Sequence, residues 1–474
     1  MTFFSPGQSC WRAARAGRVG LLVDNQAYFD ALYEALHAAE RSILILGWAF
    51  DPRTRLSPDG KEGPADPDEI GRILIDLCRA RPELAARILV WKSQLGINGF
   101  QDIRGHRAKR WFANTPVVFR EAHDTPFGAC HHQKLVVIDD RLAFCGGGDI
   151  VTNRWDSEQH LHAEPRRILP DGGRHPARHE VMMLVEGQTA ASLGELFRER
   201  WRNATGEHLV PSLPAAAADP WPKSVPVRLS DVEVVIARTQ PGWRQRPLVQ
   251  EIRRLTEDCI AGARRTIYLE NQYFASARVT DALAVRLAEQ DGPEIVMVLT
   301  GRAPSWFDRL TMDRARNPLI ERLRRADRYG RFRAYSPRTS AGAKIIVHAK
   351  VAVVDDRIAR IGSANLNNRS EGFDTECDLA IEARDEIASR GIADFRHRLL
   401  GHYLAVAPDR VRQAIEMAGG LIGAIDSLNG AGRLTPFPSV RPIWFDRLVS
   451  AYRLGDPRDA KESWRPLARA DGDG

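Results

Sequence analysis

The sequence predicts an α/β protein built as two tandem halves, each a mixed sheet flanked by helices, related by pseudo-twofold symmetry. Short apolar runs typical of buried strands alternate with amphipathic helical segments, which favours parallel strands with helices on the sheet faces. The order of these segments repeats in the second half of the chain, as expected for an internal duplication. Each half also contains one His-x-Lys-x4-Asp motif, and the two copies begin at His132 and His348.

The first half begins with a helix near Asp24, where apolar residues recur at helical spacing. An apolar strand is predicted at 42–50, a second helix at 68–79 and another buried strand at 87–91. The basic stretch 96–110 reads as a flexible loop. These elements lead directly into the first motif.

The second half follows a segment rich in proline and alanine, which is typical of a linker. A helix at 247–265 and strands at 266–274 and 294–299 match elements of the first half in order. The arginine-rich stretch 302–331 reads as an amphipathic helix and a turn, either a lipid-headgroup surface or a solvated helix face. The predicted domains are an N-terminal half 1–204, a linker 205–228, a C-terminal half 229–402 and a helical C-terminal extension 403–474.

Both motifs have the sequence pattern of a strand, a turn and a second strand. Valines follow Lys350, an Asp-Asp-Arg turn begins at Asp355, and a second apolar run ends at Gly362. Side chains alternate across a strand, so His348 and Lys350 are expected on one face. An imidazole beside an ammonium group suits an anion such as a phosphate. His132, Lys134 and Asp139 repeat the arrangement.

Two such faces brought together by pseudo-symmetry contain the groups needed to cleave a phosphodiester. One imidazole can attack phosphorus and form a covalent phosphohistidine, while the other protonates the leaving oxygen and later deprotonates water or an alcohol. Lys134 and Lys350 would stabilise the developing negative charge. The residues alone do not decide which histidine attacks.

The motif pair resembles the phospholipase D superfamily, and three further segments are similar to its phosphatidylcholine-type members. These segments are Glu270-Asn-Gln-Tyr-Phe274, Gly147-Gly-Asp149 with Arg154-Trp155-Asp156, and Asp374-Thr-Glu376. The resemblance implies a two-step reaction that needs no metal or cofactor. It also implies that His132 is the nucleophile and His348 the general acid and base.

The resemblance further implies roles for several polar residues. An acidic residue in the family orients each motif histidine, which points to Glu376 for His348 and to Glu180 for His132. Asn365 corresponds to a phosphate-contacting asparagine, and Ser363 and Asp149 belong to the same predicted phosphate site, although an aspartate there departs from the family pattern. Asp139 and Asp355 complete the catalytic motifs. Their odd spacing from the histidines, however, indicates turn-stabilising residues rather than acids.

Four aromatic residues have two interpretations that the sequence leaves open. Trp48, Trp155, Tyr273 and Phe373 either line a pocket that contacts a choline ammonium group or pack in the core. The six cysteines lack metal-binding spacing, and we expect them to be buried thiols.

Charge and composition restrict the partners without selecting one. The 474 residues have a formal net charge of +7, which favours nucleic acid, an acidic membrane surface or phosphorylated substrates. There is no apparent signal peptide, and no apolar run reaches the roughly 18 residues of a spanning helix. We therefore expect a cytoplasmic monomer with, at most, peripheral membrane contact.

The predicted function is phospholipase D-type hydrolysis of the headgroup ester of a glycerophospholipid, with transphosphatidylation of alcohols as the same chemistry. A cardiolipin-synthase-like phosphatidyltransferase is the nearest alternative, although those enzymes usually carry N-terminal spanning helices. A phosphodiester nuclease fits the basic charge, but the superfamily's nucleases are typically short single-motif chains. A catalytically silent binder of anionic surfaces is disfavoured by the intact histidines and lysines of both motifs.

Overall fold

The structure is a computed structural model that describes residues 3–58, 68–93, 99–211, 219–303, 305, 308–439, 455–459 and 462. The strands, in chain order, are β1 Arg12–Val23, β2 Ser42–Gly47, β3 Ala85–Trp91, β4 Val118–Ala122, β5 Leu135–Ile138, β6 Leu142–Gly146, β7 Arg178–His179, β8 Val181–Glu186, β9 Leu229–Gln240, β10 Val249–Gln250, β11 Thr266–Asn271, β12 Glu294–Leu299, β13 Phe332–Pro337, β14 Ile346–Val347, β15 Lys350–Val354, β16 Ile358–Gly362, β17 Glu376–Glu382 and β18 Leu434–Pro436.

The helices connect these strands and cover the sheet. They are α1 Asp24–Ala38, α2 Ile70–Ala80, α3 Gly99–Trp111, α4 Gln188–Thr205, α5 Glu251–Gly262, α6 Ala277–Ala288, α7 Arg314–Ala326, α8 Asn368–Gly372, α9 Glu386–Leu404, α10 Pro408–Ala418 and α11 Leu421–Leu428, with a π-helical turn at Arg309–Asp313 before α7. Within the described part of the chain, no helix is both long and apolar enough to cross a bilayer.

A single mixed sheet runs through both halves of the molecule. Its order is β18-β13-β12-β11-β15-β16-β17-β9-β1-β8-β6-β5-β2-β3-β4, with β10 attached to β9. From β9 outwards and from β1 outwards, corresponding strands follow in the same order, so the two halves have equivalent topologies. In each half three strands are parallel (β2-β3-β4 and β11-β12-β13), and the strands between them and the junction are antiparallel. The second half has one more antiparallel strand, β18, at its edge. The predicted duplicated α/β fold is confirmed.

The sheets of the two halves are joined by the antiparallel pairing of β1 with β9. In this pairing Arg12 lies opposite Ile236 and Arg18 lies opposite Ser230. Neither strand is predicted from the sequence. In β1, arginines alternate with small residues such as Ala14 and Ala16, which are buried, and this pattern has little of the apolar character of the other strands.

Helices bury apolar residues on both faces of the sheet. In the first half α1 and α2 cover one face, and in the second half α5, α6 and α7 do the same. A third apolar cluster, on the other face, is shared by both halves and includes residues of α4, α9, α10 and α11. The result is a three-layer α/β/α arrangement in which the central layer is continuous.

The structure also differs from the prediction in the basic stretch that precedes β4. The stretch 96–110 was expected to be a flexible loop, but α3 begins at Gly99 within it. Arg107 donates to the Asp51 carboxylate, and Ala108 and Phe112 are buried, so tertiary contacts stabilise this basic helix.

The predicted C-terminal extension is helical where α10 and α11 follow α9. Gly419 has φ +72 and ends α10, a conformation that glycine adopts without strain. Residues 440–454 of that extension, like residues 212–218 of the predicted linker, lie outside the described residues.

The motif aspartates lie in the turns after β5 and β15. Asp139 accepts hydrogen bonds from the backbone N–H groups of Glu40, Arg41 and Ser42, at 2.6–2.8 Å. Both Asp139 and the following Asp140 have φ +52, which aspartate tolerates better than most residues. The carboxylate therefore fastens the hairpin to the connection between α1 and β2.

Asp355 repeats these contacts in the second half. Its carboxylate accepts from the backbone N–H groups of Arg264, Arg265 and Thr266, also at 2.6–2.8 Å, between α5 and β11. Each motif aspartate thus holds the start of the strand next to its own motif. This geometry agrees with the interpretation of Asp139 and Asp355 as turn residues and gives them no contact with the motif histidines.

We predict that Asp139→Asn and Asp355→Asn each lower the free energy of unfolding by about 2–4 kcal/mol, because backbone N–H groups lose a charged acceptor. Urea denaturation followed by circular dichroism measures the change. Asp231→Asn is the matched control, since Asp231 also has positive φ but is exposed and pairs with the exposed Arg15. Equal midpoints for all three variants and the parent would contradict the assignment.

Candidate active site

Each motif histidine lies on a segment that pairs with the other half of the molecule. The His132 N–H donates to the Thr375 carbonyl at 2.9 Å, and the Thr375 N–H donates to the Cys130 carbonyl at 3.0 Å. In the second half, β14 pairs with β7, and the His348 N–H donates to the His179 carbonyl at 2.7 Å. The histidines therefore stand before β5 and β15, outside their own strands.

This crossing corrects the predicted pairing of the histidines with the supporting carboxylates. Glu376 was expected beside His348 and Glu180 beside His132. Instead, His132 Nδ1 lies 2.9 Å and 3.1 Å from the two Glu376 oxygens, and His348 Nδ1 lies 3.1 Å from Glu180 Oε1. Because each histidine segment pairs with the residue immediately before the other half's glutamate, sequence proximity within a half does not predict contact.

Glu376 is fully buried and held by two hydroxyl groups. Ser363 donates to Oε2 and Ser370 to Oε1, both at 2.6 Å. Burial raises the pKa of Glu376 to about 7, while Lys134 and the two hydroxyl groups act in the opposite direction. The carboxylate is therefore fixed in orientation, and its ionisation falls close to neutral pH.

The ring of His132 is held in one orientation and is neutral. Burial lowers its pKa well below the ordinary value, and the positive charges of Lys134 and Lys350 lower it further. The ring is therefore neutral, and with Nδ1–H donated to Glu376 the lone pair lies on Nε2. A neutral imidazole fixed in this tautomer can attack an electrophile through Nε2.

The contact between His348 and Glu180 is less well aligned. Among the described residues, neither Glu180 oxygen has a hydrogen-bond partner, although Arg154 Nη1 lies 3.5 Å from Oε1. Burial raises the pKa of Glu180 despite opposition from Arg154 and Arg178. Burial also lowers the pKa of His348, as do Lys350, Arg154 and Arg178. The two histidine–glutamate pairs are thus electrostatically unequal.

The motif lysines lie together in the buried site. Lys134 Nζ donates to the His132 carbonyl at 2.7 Å, and Lys350 Nζ donates to the His348 carbonyl at 2.6 Å and to Gln272 Oε1 at 3.0 Å. Burial, followed by the charge of Lys134, lowers the pKa of Lys350 well below its ordinary value. Each lysine also lowers the pKa of the histidine of the other motif, so the two motifs lie close enough to interact electrostatically.

The three predicted phosphate-binding residues have different surroundings. Asp149 accepts from the Trp48 and Ala49 N–H groups, and its Oδ2 lies 3.4 Å from Lys134 Nζ. Burial opposes ionisation of Asp149, but Lys134 and Arg154 outweigh it and lower the pKa. An ionised carboxylate in these contacts positions a lysine, which argues against direct phosphate binding by Asp149.

Ser363 also has an internal role, because its hydroxyl donates to Glu376. Asn365 is different. Its backbone N–H donates to Ser370 Oγ, whereas its buried side-chain Oδ1 has no hydrogen-bond partner within the described chain. An amide binds an anion through its Nδ2 group rather than through Oδ1, so the phosphate contact of Asn365 stays a prediction.

No role at the site is predicted from the sequence for Ser370 or Arg178, and Arg154 is named only within a segment similar to the phosphatidylcholine-type enzymes. Ser370 lies in the short helix α8, where its hydroxyl reaches Glu376, and no local pattern distinguishes it from a surface serine. Arg154 and Arg178 belong to a polar segment rich in histidine and arginine. Their burial in the structure shows that this segment is part of the site's charged surroundings.

The four aromatic residues divide between the two interpretations. Trp155 and Phe373 are buried, as expected for core packing, whereas Trp48 and Tyr273 are half-buried. Trp48 stacks on Trp91 with ring centroids 5.9 Å apart. The six cysteines, all within the described residues, are buried free thiols as predicted.

Models of two related protein families match the two halves. "Phospholipase D" matches residues 35–220, and "Cardiolipin synthase, PLD-like domain" matches residues 257–399. Each match contains one of the two motifs. The two family matches therefore correspond to the two halves of the duplicated fold.

Known proteins similar to this chain include phospholipases D and a cardiolipin synthase. Phospholipase D A of Dictyostelium discoideum is 26% identical over 82% of this chain and 36% of its own length. Phospholipase D alpha 4 of Arabidopsis thaliana is 23% identical over 74% of this chain and 60% of its own length. Cardiolipin synthase A of Pseudomonas putida is 25% identical over 80% of this chain and 68% of its own length. The chain thus spans less than two thirds of either phospholipase D.

One solved structure supports the fold assignment. Phosphatidylserine synthase of Haemophilus influenzae Rd KW20 superposes with a TM-score of 0.58 and 13% sequence identity, covering 89% of this chain and 95% of that one. At this identity the similarity establishes the fold alone.

We predict that double-mutant cycles will detect coupling between the halves. His132→Gln and Glu376→Gln should be non-additive by about 1–3 kcal/mol in unfolding free energy, because they remove the two sides of one hydrogen-bonded contact. The matched cycle of His348→Gln with Glu376→Gln should be additive within about 0.5 kcal/mol. Urea denaturation provides both values. Stronger coupling in the second cycle would restore the pairing within one half.

Proposed function

The chain belongs to the phospholipase D superfamily, and from this we propose that it is a phospholipase D-type phosphodiesterase. Its substrate would be a glycerophospholipid, whose headgroup ester it hydrolyses or transfers to an alcohol through a phosphohistidine. One observation carries the proposal, namely the contact of each motif histidine with the glutamate of the other half, together with the electrostatic interaction of each motif lysine with the histidine of the other motif. The relatives named phospholipase D support the choice of substrate class.

In the first step we assign the nucleophile to His132. Its Nε2 lone pair attacks phosphorus, a P–N bond forms, and the P–O bond to the headgroup breaks. His348 gives its proton to the departing oxygen. Lys134 and Lys350 interact with the non-bridging oxygens, whose negative charge is better stabilised in a buried site than in water.

The protonation of His348 follows from the charge of the substrate. In the free protein, burial and the neighbouring cations lower the pKa of His348. A bound phosphodiester anion offsets the charges of Lys350, Arg154 and Arg178, and this raises the pKa towards values at which the ring holds a proton. Substrate binding would therefore charge the general acid.

In the second step His348 acts as the general base. It takes a proton from water or an alcohol, whose oxygen attacks phosphorus, and the P–N bond to His132 breaks. Water yields phosphatidic acid, and an alcohol yields a new phosphatidyl ester. Glu376 accepts the Nδ1–H hydrogen bond throughout and so stabilises the positive charge that His132 acquires when its Nε2 is bonded to phosphorus.

A cardiolipin-synthase-like phosphatidyltransferase is the second candidate. The match of residues 257–399 to the cardiolipin synthase domain favours it, as does the similarity to the Pseudomonas putida protein. The two candidates share the phosphohistidine chemistry and differ in the acceptor. Phosphatidylglycerol as acceptor would give cardiolipin, whereas water would give phosphatidic acid.

We also propose a cytoplasmic monomer that contacts the membrane peripherally. A single chain supplies both motifs, so one copy is sufficient for a complete site. The six free cysteines fit a reducing compartment. Phe127 and Leu161, on loops of the first half, are about half exposed at 51% and 49% and offer apolar contacts for a bilayer surface.

We predict choline release from phosphatidylcholine vesicles, together with phosphatidylethanol when ethanol is added, because both acceptors resolve the same intermediate. Parallel reactions contain phosphatidylglycerol vesicles or single-stranded DNA. His132→Ala and His348→Ala should each lower turnover at least about 10³-fold, and the exposed His208→Ala serves as the control.

The products separate the candidates. Phosphatidic acid and phosphatidylethanol support the phospholipase D assignment, whereas cardiolipin without choline release would favour the phosphatidyltransferase. Release of nucleotides without lipid turnover would overturn both.

We predict that an activated leaving group will separate the two histidines. In a nitrophenyl ester of phosphatidic acid, the nitrophenolate leaving group departs with little help from a general acid. The variant His348→Ala should therefore release a burst of about one nitrophenol per chain and keep the phosphatidyl group bound covalently. His132→Ala should give neither the burst nor the adduct. Stopped-flow absorbance and intact-protein mass spectrometry provide the readouts. A burst with His132→Ala but not with His348→Ala would reverse the nucleophile assignment.

A further inference from the structure

A second group of buried titratable side chains lies next to the active site. It consists of Asp24 at the start of α1, His160 in the connection between β6 and β7, His179 on β7 and His402 near the end of α9. One possible ligand atom from each lies within 4.8 Å of the others. Asp24, His160 and His179 have at most 1% exposure, and both ring nitrogens of His402 are buried. The proposed reaction uses none of the four.

In the neutral form of His160, which is the form that binds a metal ion, an acceptor faces an acceptor. Its Nδ1 lies 2.9 Å from Asp156 Oδ2, which fixes the proton of a neutral ring on that side. Its Nε2 then carries a lone pair and lies 3.4 Å from Asp24 Oδ2. Within the described chain, neither Nε2 nor Oδ2 has an aligned hydrogen bond. A cation between them would turn an unfavourable contact into two favourable ones.

His402 provides the second observation. Neither of its ring nitrogens makes an aligned hydrogen bond to any described residue. The Arg398 carbonyl, one helical turn earlier, lies near the ring and can accept from one nitrogen only. The ring stacks on His179 with centroids 4.7 Å apart. If one nitrogen uses the Arg398 carbonyl, the other retains a buried lone pair. Buried polar atoms without partners are uncommon and need an explanation.

We propose that Asp24 Oδ2, His160 Nε2 and one ring nitrogen of His402 bind a divalent transition-metal ion of the zinc class. Two imidazoles and one carboxylate form a donor set that suits zinc better than calcium or magnesium. Tetrahedral zinc, with bonds of about 2.0–2.1 Å, separates its ligand atoms by roughly 3.3–3.4 Å. The distance between Asp24 Oδ2 and His160 Nε2 already has this value.

The hydrogen bonds around the proposed ligands are those expected to orient the ligands of a metal ion. Asp156 accepts from His160 Nδ1, the arrangement that orients many metal-bound histidines. His179 Nδ1 lies 2.9 Å from Asp24 Oδ1, and its Nε2 lies 2.7 Å from Glu270 Oε2. Both nitrogens of His179 are therefore engaged, and it holds Asp24 rather than the ion. The fourth coordination position remains for water.

The position of the site indicates a structural role. Asp24 and His160 belong to the first half and His402 to α9, so the ion would link the halves. Asp24 Oδ1 also accepts the Glu180 N–H at 3.1 Å, and the Asp24 N–H donates to the Glu180 carbonyl at 2.8 Å. The ion would stabilise the strand that presents Glu180 to His348. This inference does not rest on the proposed function.

Metal content tests the proposal directly. The purified full chain is stripped with a chelator, reconstituted with Zn²⁺ or Co²⁺ and desalted, and bound metal is measured by mass spectrometry. We expect one equivalent per chain, visible d–d absorption of tetrahedral Co²⁺, and a thermal midpoint that rises by several degrees on reconstitution.

The variant His402→Phe removes a ligand but keeps an aromatic ring against His179. It should bind less than about 0.1 equivalent and lose the midpoint shift. His397→Phe, a buried histidine on the same helix outside the cluster, is the matched control and should retain the metal. If His402→Phe fails to fold by circular dichroism, Asp24→Asn replaces it. No bound metal in the parent chain, or equal binding in the parent and the ligand variants, would overturn the proposal.

Discussion

The antiparallel pairing of β1 with β9 is the constraint on which the rest of the molecule depends. It joins two equivalent sheets edge to edge. β8, which begins directly after Glu180, and β17, which begins at Glu376, lie on either side of the junction. Without this pairing the halves would have no shared apolar layer between α4 and α9. The pseudo-symmetry of the site is therefore a consequence of backbone hydrogen bonding at the centre of the sheet.

The two halves also exchange contacts at the site. Each motif histidine pairs through its backbone with the segment before the other half's glutamate, and its ring then contacts that glutamate. Neither half alone holds a histidine beside its carboxylate. This explains why duplication produced one composite site rather than two separate ones, and why the halves can differ in alignment and charge while sharing a topology.

Burial gives the site its electrostatic character. Two lysines, two glutamates and His348 are buried and His132 is only slightly exposed, so their ionisation depends on one another. The aspartates of the motifs contribute differently, by holding turns. The cluster around His160 extends the polar network from Glu180, through Asp24, to His402 on α9. The buried polar groups of the candidate site and of this cluster are therefore neighbours in one network.

The sequence by itself determined the duplication, the α/β class and the strand–turn–strand at each motif, because periodicity and spacing are local properties. The prediction of His132, Lys134, His348 and Lys350 as site residues rests on the same spacing. The sequence did not reveal the pairing of β1 with β9, which joins the two halves, or α3, which is stabilised by contacts such as Arg107 with Asp51. It also could not pair Glu376 with His132. That contact joins residues from different halves, and only the crossing of backbone segments between two sheets brings them together.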